Sequence, residues 1–295
     1  MKKALEYKVP EIVRLNLVAH PSQTVFILRE DQNHALVSGN KWWKLKYNLA
    51  AAVKEGHDTL LTFGGAYSNH LYATAAAARE MGFKSIGIVR GERTLPLNPT
   101  LSFAEKQGMH LAYIDREQYR QKAEESFIES LKERFGDFYL IPEGGTNELA
   151  IKGVEEWGSL LVKNYNFDYL VLPVGTGGTM AGLVKALPNK KIVGFSSLKG
   201  GSFLVSDVQK WLKKDSNNWR IETSFHFGGY GKVKDQLIDF IHHFESHHKV
   251  PLDPIYTAKM MFGVVELLKD GAFEDNSKIL VLHTGGLQGR ASFNF

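Results

Sequence analysis

Four times in this chain a short apolar run gives way to glycines: at Gly64-Gly65, Gly144-Gly145, the cluster 175–178 and Gly285-Gly286. Apolar runs at 24–29, 59–63, 84–89, 110–114, 138–141, 169–174, 191–195 and 279–283 are brief and rich in β-branched, leucine or aromatic residues. That is the pattern of strands buried on both faces of a parallel sheet. Segments of helical periodicity lie between them, at 42–55, 68–81, 116–134, 148–165, 179–187, 232–247 and 259–268. Such alternation predicts an α/β fold of open, twisted parallel sheets with helices on their faces. In these sheets ligands bind beyond the carboxyl ends of the strands, so four glycine-rich turns at strand ends predict one shared pocket.

A chain of 295 residues, 43% of them apolar, can fill the cores of two domains. No internal repeat, low-complexity tract or long linker marks a boundary. The net charge is +4 and the basic residues are scattered, which argues against nucleic acid as a partner. The absence of cysteine excludes disulfides, thiolate zinc sites and cysteine nucleophiles. The N-terminal segment lacks a continuous apolar core of the signal-peptide kind, and no stretch approaches 18 apolar residues. A soluble cytoplasmic protein without a membrane partner is expected.

Three segments carry candidate chemistry. The strand ending at Val174 runs into Gly-Thr-Gly-Gly-Thr and then a helix. Glycines there let backbone N–H groups close on an anion, helped by the helix dipole and the hydroxyls of Thr176 and Thr179. A tight structural turn is the plain alternative. Neither the Walker A nor the dinucleotide glycine spacing is met. In Asn40-Lys-Trp-Trp-Lys44, Lys41 and Lys44 are three apart and share a helix face. One can hold a carbonyl while the other neutralises a phosphate; the alternative is two solvated lysines. In Gly64-Gly-Ala-Tyr-Ser-Asn-His70, Ser68 and Asn69 either grip a carboxylate or merely cap a helix. His243 and His247 are one turn apart, but no His-Glu-x-x-His motif or further ligand accompanies them, so no metal is expected. The Trp42-Trp43 pair reads as packing.

These motifs occur in order with Arg29-Glu-Asp31, Ile141-Pro142, Gly229-Tyr-Gly231, Leu252-Asp-Pro-Ile-Tyr-Thr257 and His283-Thr-Gly-Gly286. Together they resemble the family of 1-aminocyclopropane-1-carboxylate (ACC) deaminase and D-cysteine desulfhydrase, fold-type II pyridoxal 5′-phosphate (PLP) enzymes of the tryptophan synthase β class. The resemblance covers nearly the whole chain. It implies two α/β domains with PLP in the cleft between them, residues 1–44 and 148–295 forming the larger and 45–147 an inserted smaller one. It also implies a homodimer. At matching positions it makes Lys41 the Schiff-base lysine and Lys44 with Thr176, Gly177, Gly178 and Thr179 the phosphate ligands. Asn69 is implied at the cofactor's phenolic oxygen and Thr257 at its pyridine nitrogen. Ser68, Asn69, His70, Tyr230, Tyr256 and Thr284 are implied around the substrate, with Lys41, Ser68, Tyr230 and Tyr256 catalytic. The chain departs from the family pattern at Ser38, Trp43, 71–73 and 286–290.

Two reactions on a small amino acid follow. Desulfhydration of D-cysteine expels thiolate from the β-carbon and yields pyruvate, hydrogen sulfide and ammonia. ACC deamination opens a cyclopropane and yields 2-oxobutanoate and ammonia. The resemblance favours the first, because the deaminases carry glutamate where Thr257 stands and leucine where Thr284 stands. A neutral hydroxyl supports a weaker electron sink, and a thiolate, whose parent thiol has a pKa of about 8.5, leaves easily. A catalytically silent PLP-binding protein and a nucleotide-binding module using the glycine loop are the readings from other classes.

Overall fold

The structure is a computed structural model that describes residues 4–17, 22–213 and 216–293. Among these residues the strands are β1 (Ile12–Leu15), β2 (Thr24–Leu28), β3 (Thr59–Gly64), β4 (Lys84–Arg90), β5 (Met109–Ile114), β6 (Tyr139–Ile141), β7 (Tyr169–Val174), β8 (Lys191–Ser196), β9 (Trp219–Glu222) and β10 (Lys278–Leu282). They form two sheets, one ordered β1-β2-β10-β7-β8-β9 and the other β5-β4-β3-β6. Every pairing is parallel except that of β1 with β2.

The helices are α1 (Asn40–Lys54), α2 (Asn69–Met81), α3 (Pro99–Lys106), α4 (Arg116–Arg120), α5 (Glu125–Phe135), α6 (Glu148–Asn164), α7 (Gly178–Ala186), α8 (Phe203–Trp211), α9 (Asp235–His248) and α10 (Thr257–Lys269). They cover both faces of each sheet, and the period of two along the strands divides the apolar residues between those faces. On β7, Leu170, Leu172 and Val174 pack with α6 and α7, while Tyr169 and Val171 pack with α9 and α10. On β3, Leu60 packs with α1 and α2, and Leu61 and Phe63 pack toward α4 and α5.

The eight expected strands are all present. The sequence pattern misses β1 and β9, which are four-residue edge strands, each only partly buried and without a buried run. The helix expected over 116–134 is divided into α4 and α5. Asp115 caps α4, and the break after Arg120 turns Lys122 toward Glu143. Two further helices, α3 and α8, fall between the expected ones.

The chain passes between the sheets through α1 and returns through the turn before α6. Trp42 and Trp43, in the first turn of α1, lie in the core of the six-stranded side, with Trp43 stacked 5.9 Å from Trp157. Leu45, Leu49 and Ala52 lie in the core of the four-stranded side. One rigid helix therefore has its start in one core and its remainder in the other.

Candidate active site

The first turn of α1 is fixed by an unusually close approach. Gly39 holds φ +70°, and a β-carbon on it would sit 1.9 Å from the Thr284 carbonyl oxygen. Only glycine lets the helix begin against the end of β10. Its N–H donates to Glu30 O (2.8 Å) and Asn33 Oδ1 (2.9 Å), and its carbonyl accepts from Asn33 Nδ2 (3.1 Å). Lys41 follows directly, with Nζ donating to Asn40 Oδ1 at 3.2 Å. Burial pulls its ammonium down from 10.5 to about 8. Lys44 is fully buried and donates to the Gly144 carbonyl and, at 2.8 Å, to Thr146 Oγ1. Burial, and then the charge of Lys41, hold it well below the usual lysine range.

Facing these lysines is the N-terminus of α7. Gly177 occupies the cap position at φ +78°, and no side chain caps the helix. Its first-turn N–H groups therefore point into the cleft without a side-chain acceptor. Two hydroxyls flank them. Thr179 Oγ1 accepts from Asn40 Nδ2 at 2.8 Å, and Thr176 Oγ1 lies 2.8 Å from Thr146 Oγ1. A chain of hydrogen bonds thus runs from Lys44 through Thr146 to Thr176, tying the lysine helix to the glycine loop.

At the third corner, α2 starts at Asn69. Ser68 is its N-cap, with Oγ accepting from Leu71 N–H at 3.2 Å. The capping alternative is thus realised, and Ser68 lines the cleft as well. His70 is buried. Thr62 donates its hydroxyl proton to Ile141 O (2.7 Å), so it can only accept from His70 Nε2, 2.8 Å away. Nδ1 is then the unprotonated nitrogen, and it has no partner among the described residues. Burial, followed by the charges of Lys41 and Lys44, keeps the ring neutral well below 6.5.

The fourth corner is made by the tyrosines and the end of β10. The rings of Tyr230 and Tyr256 lie 6.0 Å apart, and Tyr230 donates to the Tyr67 carbonyl of the four-stranded side at 3.1 Å. Burial raises both phenols, Tyr230 to about 12. Thr284 lines the cleft. Thr257 does not line it; its Oγ1 accepts from Asp253 N–H at 2.8 Å. The buried Asp253 carboxylate is turned into its own loop, accepting from the N–H groups of Ile255, Tyr256 and Thr257.

The cleft so framed has a volume of about 710 Å3. It brings together Lys41, Lys44, Ser68, Asn69, His70, Thr176, Gly177, Thr179, Tyr230, Tyr256 and Thr284, with Gly178 just behind as the first residue of α7. Sequence reasoning missed Thr146, which follows a glycine pair of no evident charge, and Arg90 at the end of β4. The rings of His243 and His247 lie 4.2 Å apart, tilted by 38°, on α9, and no group of three or more metal-ligating side chains occurs among the described residues. No helix among them is long and apolar enough to cross a membrane.

Comparison with known proteins gives the following matches. The profile of the pyridoxal-phosphate dependent enzyme family matches residues 5–285. A mitochondrial protein of Arabidopsis thaliana, named bifunctional D-cysteine desulfhydrase/1-aminocyclopropane-1-carboxylate deaminase, is 32% identical over 94% of this chain and 76% of its own length. A Pyrococcus horikoshii protein, provisionally named 1-aminocyclopropane-1-carboxylate deaminase, is 31% identical over 90% of this chain and 85% of its own. The crystal structure of an ACC deaminase homologue superposes with a TM-score of 0.85 at 27% identity, covering 99% of this chain and 95% of the other.

Proposed function

The chain belongs to the pyridoxal-phosphate dependent enzyme family, and from that premise we propose that it binds the cofactor at Lys41 and eliminates sulfide from D-cysteine or a closely related small D-amino acid. The cleft suits the group. Uncapped N–H donors at α7 match a phosphate, a lysine amine near neutrality matches an aldehyde, and the orphaned His70 Nδ1 matches a ligand donor. In this reading Lys44, Thr176, Gly177, Gly178 and Thr179 hold the phosphate. Asn69 and Thr257 serve the ring, Thr257 by fixing the loop of Asp253. Residues 45–147 form the smaller of two domains and the rest the larger, in keeping with the change of core after Lys44.

When bound, the cofactor supplies the electron sink for charge developing at the substrate α-carbon. The protein supplies positioning and proton transfer. The substrate carboxylate lies at the start of α2, where Ser68, Asn69 and the first-turn N–H groups meet the favourable end of the helix dipole. His70, held neutral, offers an acceptor to the substrate and adds no charge. Lys41 Nζ, with its proton affinity lowered to about 8, takes the α-proton. The phenols of Tyr230 and Tyr256 stay protonated and donate to the departing thiolate. The released enamine hydrolyses to pyruvate and ammonia, and the thiolate leaves as hydrogen sulfide.

The observation that carries the choice of reaction is the polar group at the end of β10. Thr284, a residue without charge, lines the cleft, while Asp253 is committed to backbone N–H groups. Among the described residues, the carboxylates on the cleft wall are Glu143 and Asp207, each beside its own lysine. A ring without a carboxylate partner is a weaker sink, sufficient to expel a thiolate. The names of the relatives favour a second reading, ACC cleavage to 2-oxobutanoate and ammonia. One experiment separates them: the PLP-loaded protein is offered D-cysteine, L-cysteine and ACC, and pyruvate, 2-oxobutanoate and sulfide are measured. Pyruvate and sulfide from D-cysteine with no 2-oxobutanoate is expected. Efficient ACC cleavage overturns the argument from Thr284, and a protein that binds PLP without releasing any keto acid is the silent one.

A further inference from the structure

The C-terminal turn, Leu287–Ser292, reaches across to the four-stranded side. Arg290 anchors it, pairing with the Glu245 carboxylate of α9 and donating to Leu252 O at 2.7 Å, one residue before Asp253. From that anchored turn, Gln288 Nε2 donates to Asn69 Oδ1 at 2.5 Å. Asn69 is the first residue of α2, between Ser68 and His70. Ser38, Tyr72 and Gln288 line a small cavity behind Lys41, together with Asn69 and Thr284. All three belong to segments where the chain departs from its family's pattern, so those departures converge beside Lys41 rather than at the phosphate end. Tyr72 stacks on Phe103 at 3.7 Å, and Gln288 is the donor to Asn69 Oδ1.

An asparagine amide has a donor end and an acceptor end, and its terminal torsion is broad and roughly two-fold. In this structure Gln288 Nε2 takes the acceptor end of Asn69, whereas a partner that can only accept would take the donor end instead. We infer that Gln288 is a positioning residue that holds Asn69 with Oδ1 turned to the C-terminal turn and Nδ2 left as a donor, and ties 68–70 to the six-stranded side. The inference rests on the reading that PLP is held at Lys41. The cofactor's phenolic oxygen, when ionised, needs a donor beside Lys41 and is disfavoured by an acceptor.

The test uses the full-length, PLP-loaded protein with Gln288→Glu. A carboxylate of the same shape offers acceptors only, so Asn69 must turn its Nδ2 to residue 288 and present Oδ1 instead. Loss of the donor makes the phenolic oxygen more basic, so the pH midpoint of the visible absorption band should rise by about one unit. PLP affinity should fall about tenfold, as should kcat for D-cysteine, with KM within about threefold. In an Asn69→Ala background the same change should add less than about twofold, because Gln288 acts through Asn69. Should Gln288→Glu fail to fold, Gln288→Met removes the hydrogen bond without inverting Asn69, and PLP affinity and kcat should then fall about threefold with a smaller rise of the band midpoint. A band midpoint and kcat within about twofold of the parent, or equal losses with and without Asn69, overturn the inference. A parent protein that shows no visible band, and no cofactor fixed to Lys41 by borohydride, overturns the PLP reading and this inference together.

Discussion

The two ends of the cleft are built differently. At the inner end, polar groups from different elements bond to one another: Lys44 to Thr146, Thr146 to Thr176, Asn40 to Thr179, Gly39 to Asn33. At the outer end the charged pairs are partly or largely exposed. Lys210 reaches Asp207 three residues away on the same exposed helix, and Lys122 stands 3.4 Å from Glu143. Arg90 lies over the ring of Tyr119 at 5.6 Å without a hydrogen bond among the described residues, and Phe203 is 51% exposed. Exposed pairs of this kind contribute little to stability. A cross-bonded inner end fixes what binds there, whereas a loosely paired outer end is free to change with the substrate. In the proposed reading the first holds the cofactor and the second selects the substrate.

Lys41→Ala should have the largest effect. Turnover should fall by about 10^4 or more, since both the attachment point and the base are lost, and the visible band should vanish while the fold remains. Borohydride labelling found on Lys44 or Lys46 would break the assignment of the inner end. Gly177→Val comes next. A β-branched residue at φ +78° costs about 1–2 kcal/mol of backbone strain, and its β-carbon would meet Val208 at 2.9 Å. The start of α7 should shift, and PLP affinity should drop about a hundredfold with a modest loss in melting temperature. Cofactor affinity equal to the parent's would place the phosphate elsewhere.

Ser68→Ala removes a cap worth about 1 kcal/mol, and a reduction in kcat beyond that, with PLP still bound, should separate substrate contact from capping. Unaltered turnover with a lower melting temperature would leave Ser68 as a cap alone. Glu30 tests the electrostatics beneath the inner end. It is buried, and its carboxylate accepts from Trp43 Nε1 (3.2 Å), Asn33 Nδ2 (2.7 Å) and Tyr7 Oη (3.3 Å). Burial raises it from 4.5 to about 7 against those hydrogen bonds. The folded state therefore holds an extra proton between these values. Its stabilising contribution is full below pH 4.5 and is lost as pH rises toward 7, by roughly 3 kcal/mol. Denaturant unfolding of Glu30→Gln should lack that decline, and a slope identical to the parent's would reject it. Arg90→Gln should be mildest, leaving PLP affinity within about twofold while changing KM for substrate. A large loss of cofactor would erase the contrast between the two ends.

Much of this was legible in the sequence, for identifiable reasons. Strands such as Tyr169–Val174 are buried on both faces and read as continuous apolar runs. Edge strands such as Trp219–Glu222 are not, and they carry no such mark. Asn98 and Pro99 supply the cap and first residue of α3, a signal present in the sequence but set in a segment without apolar periodicity. Lys41, Lys44 and the Gly175–Thr179 loop each have a plain reading, as solvated lysines and a tight turn, and are singled out by the ordered set of motifs that resembles the family. Thr146 is not, because a threonine after glycines signals nothing until Lys44 is seen to reach it across 102 residues. Thr257 shows the converse. Its position in a motif was plain, but only packing reveals that its hydroxyl is spent on Asp253.

The hydrogen bond from Tyr230 to the Tyr67 carbonyl has a thermodynamic consequence. In the role proposed for it, the phenol can donate to a departing sulfur only by releasing that carbonyl. Substrate engagement at this point is then an exchange in which the number of hydrogen bonds stays constant, so ground-state affinity gains little from it. The gain appears only as negative charge grows on sulfur, because a phenol donates more strongly to an anion than to a peptide carbonyl. Tyr230 should accordingly be felt in the rate of the chemical step and hardly at all in the affinity that precedes it.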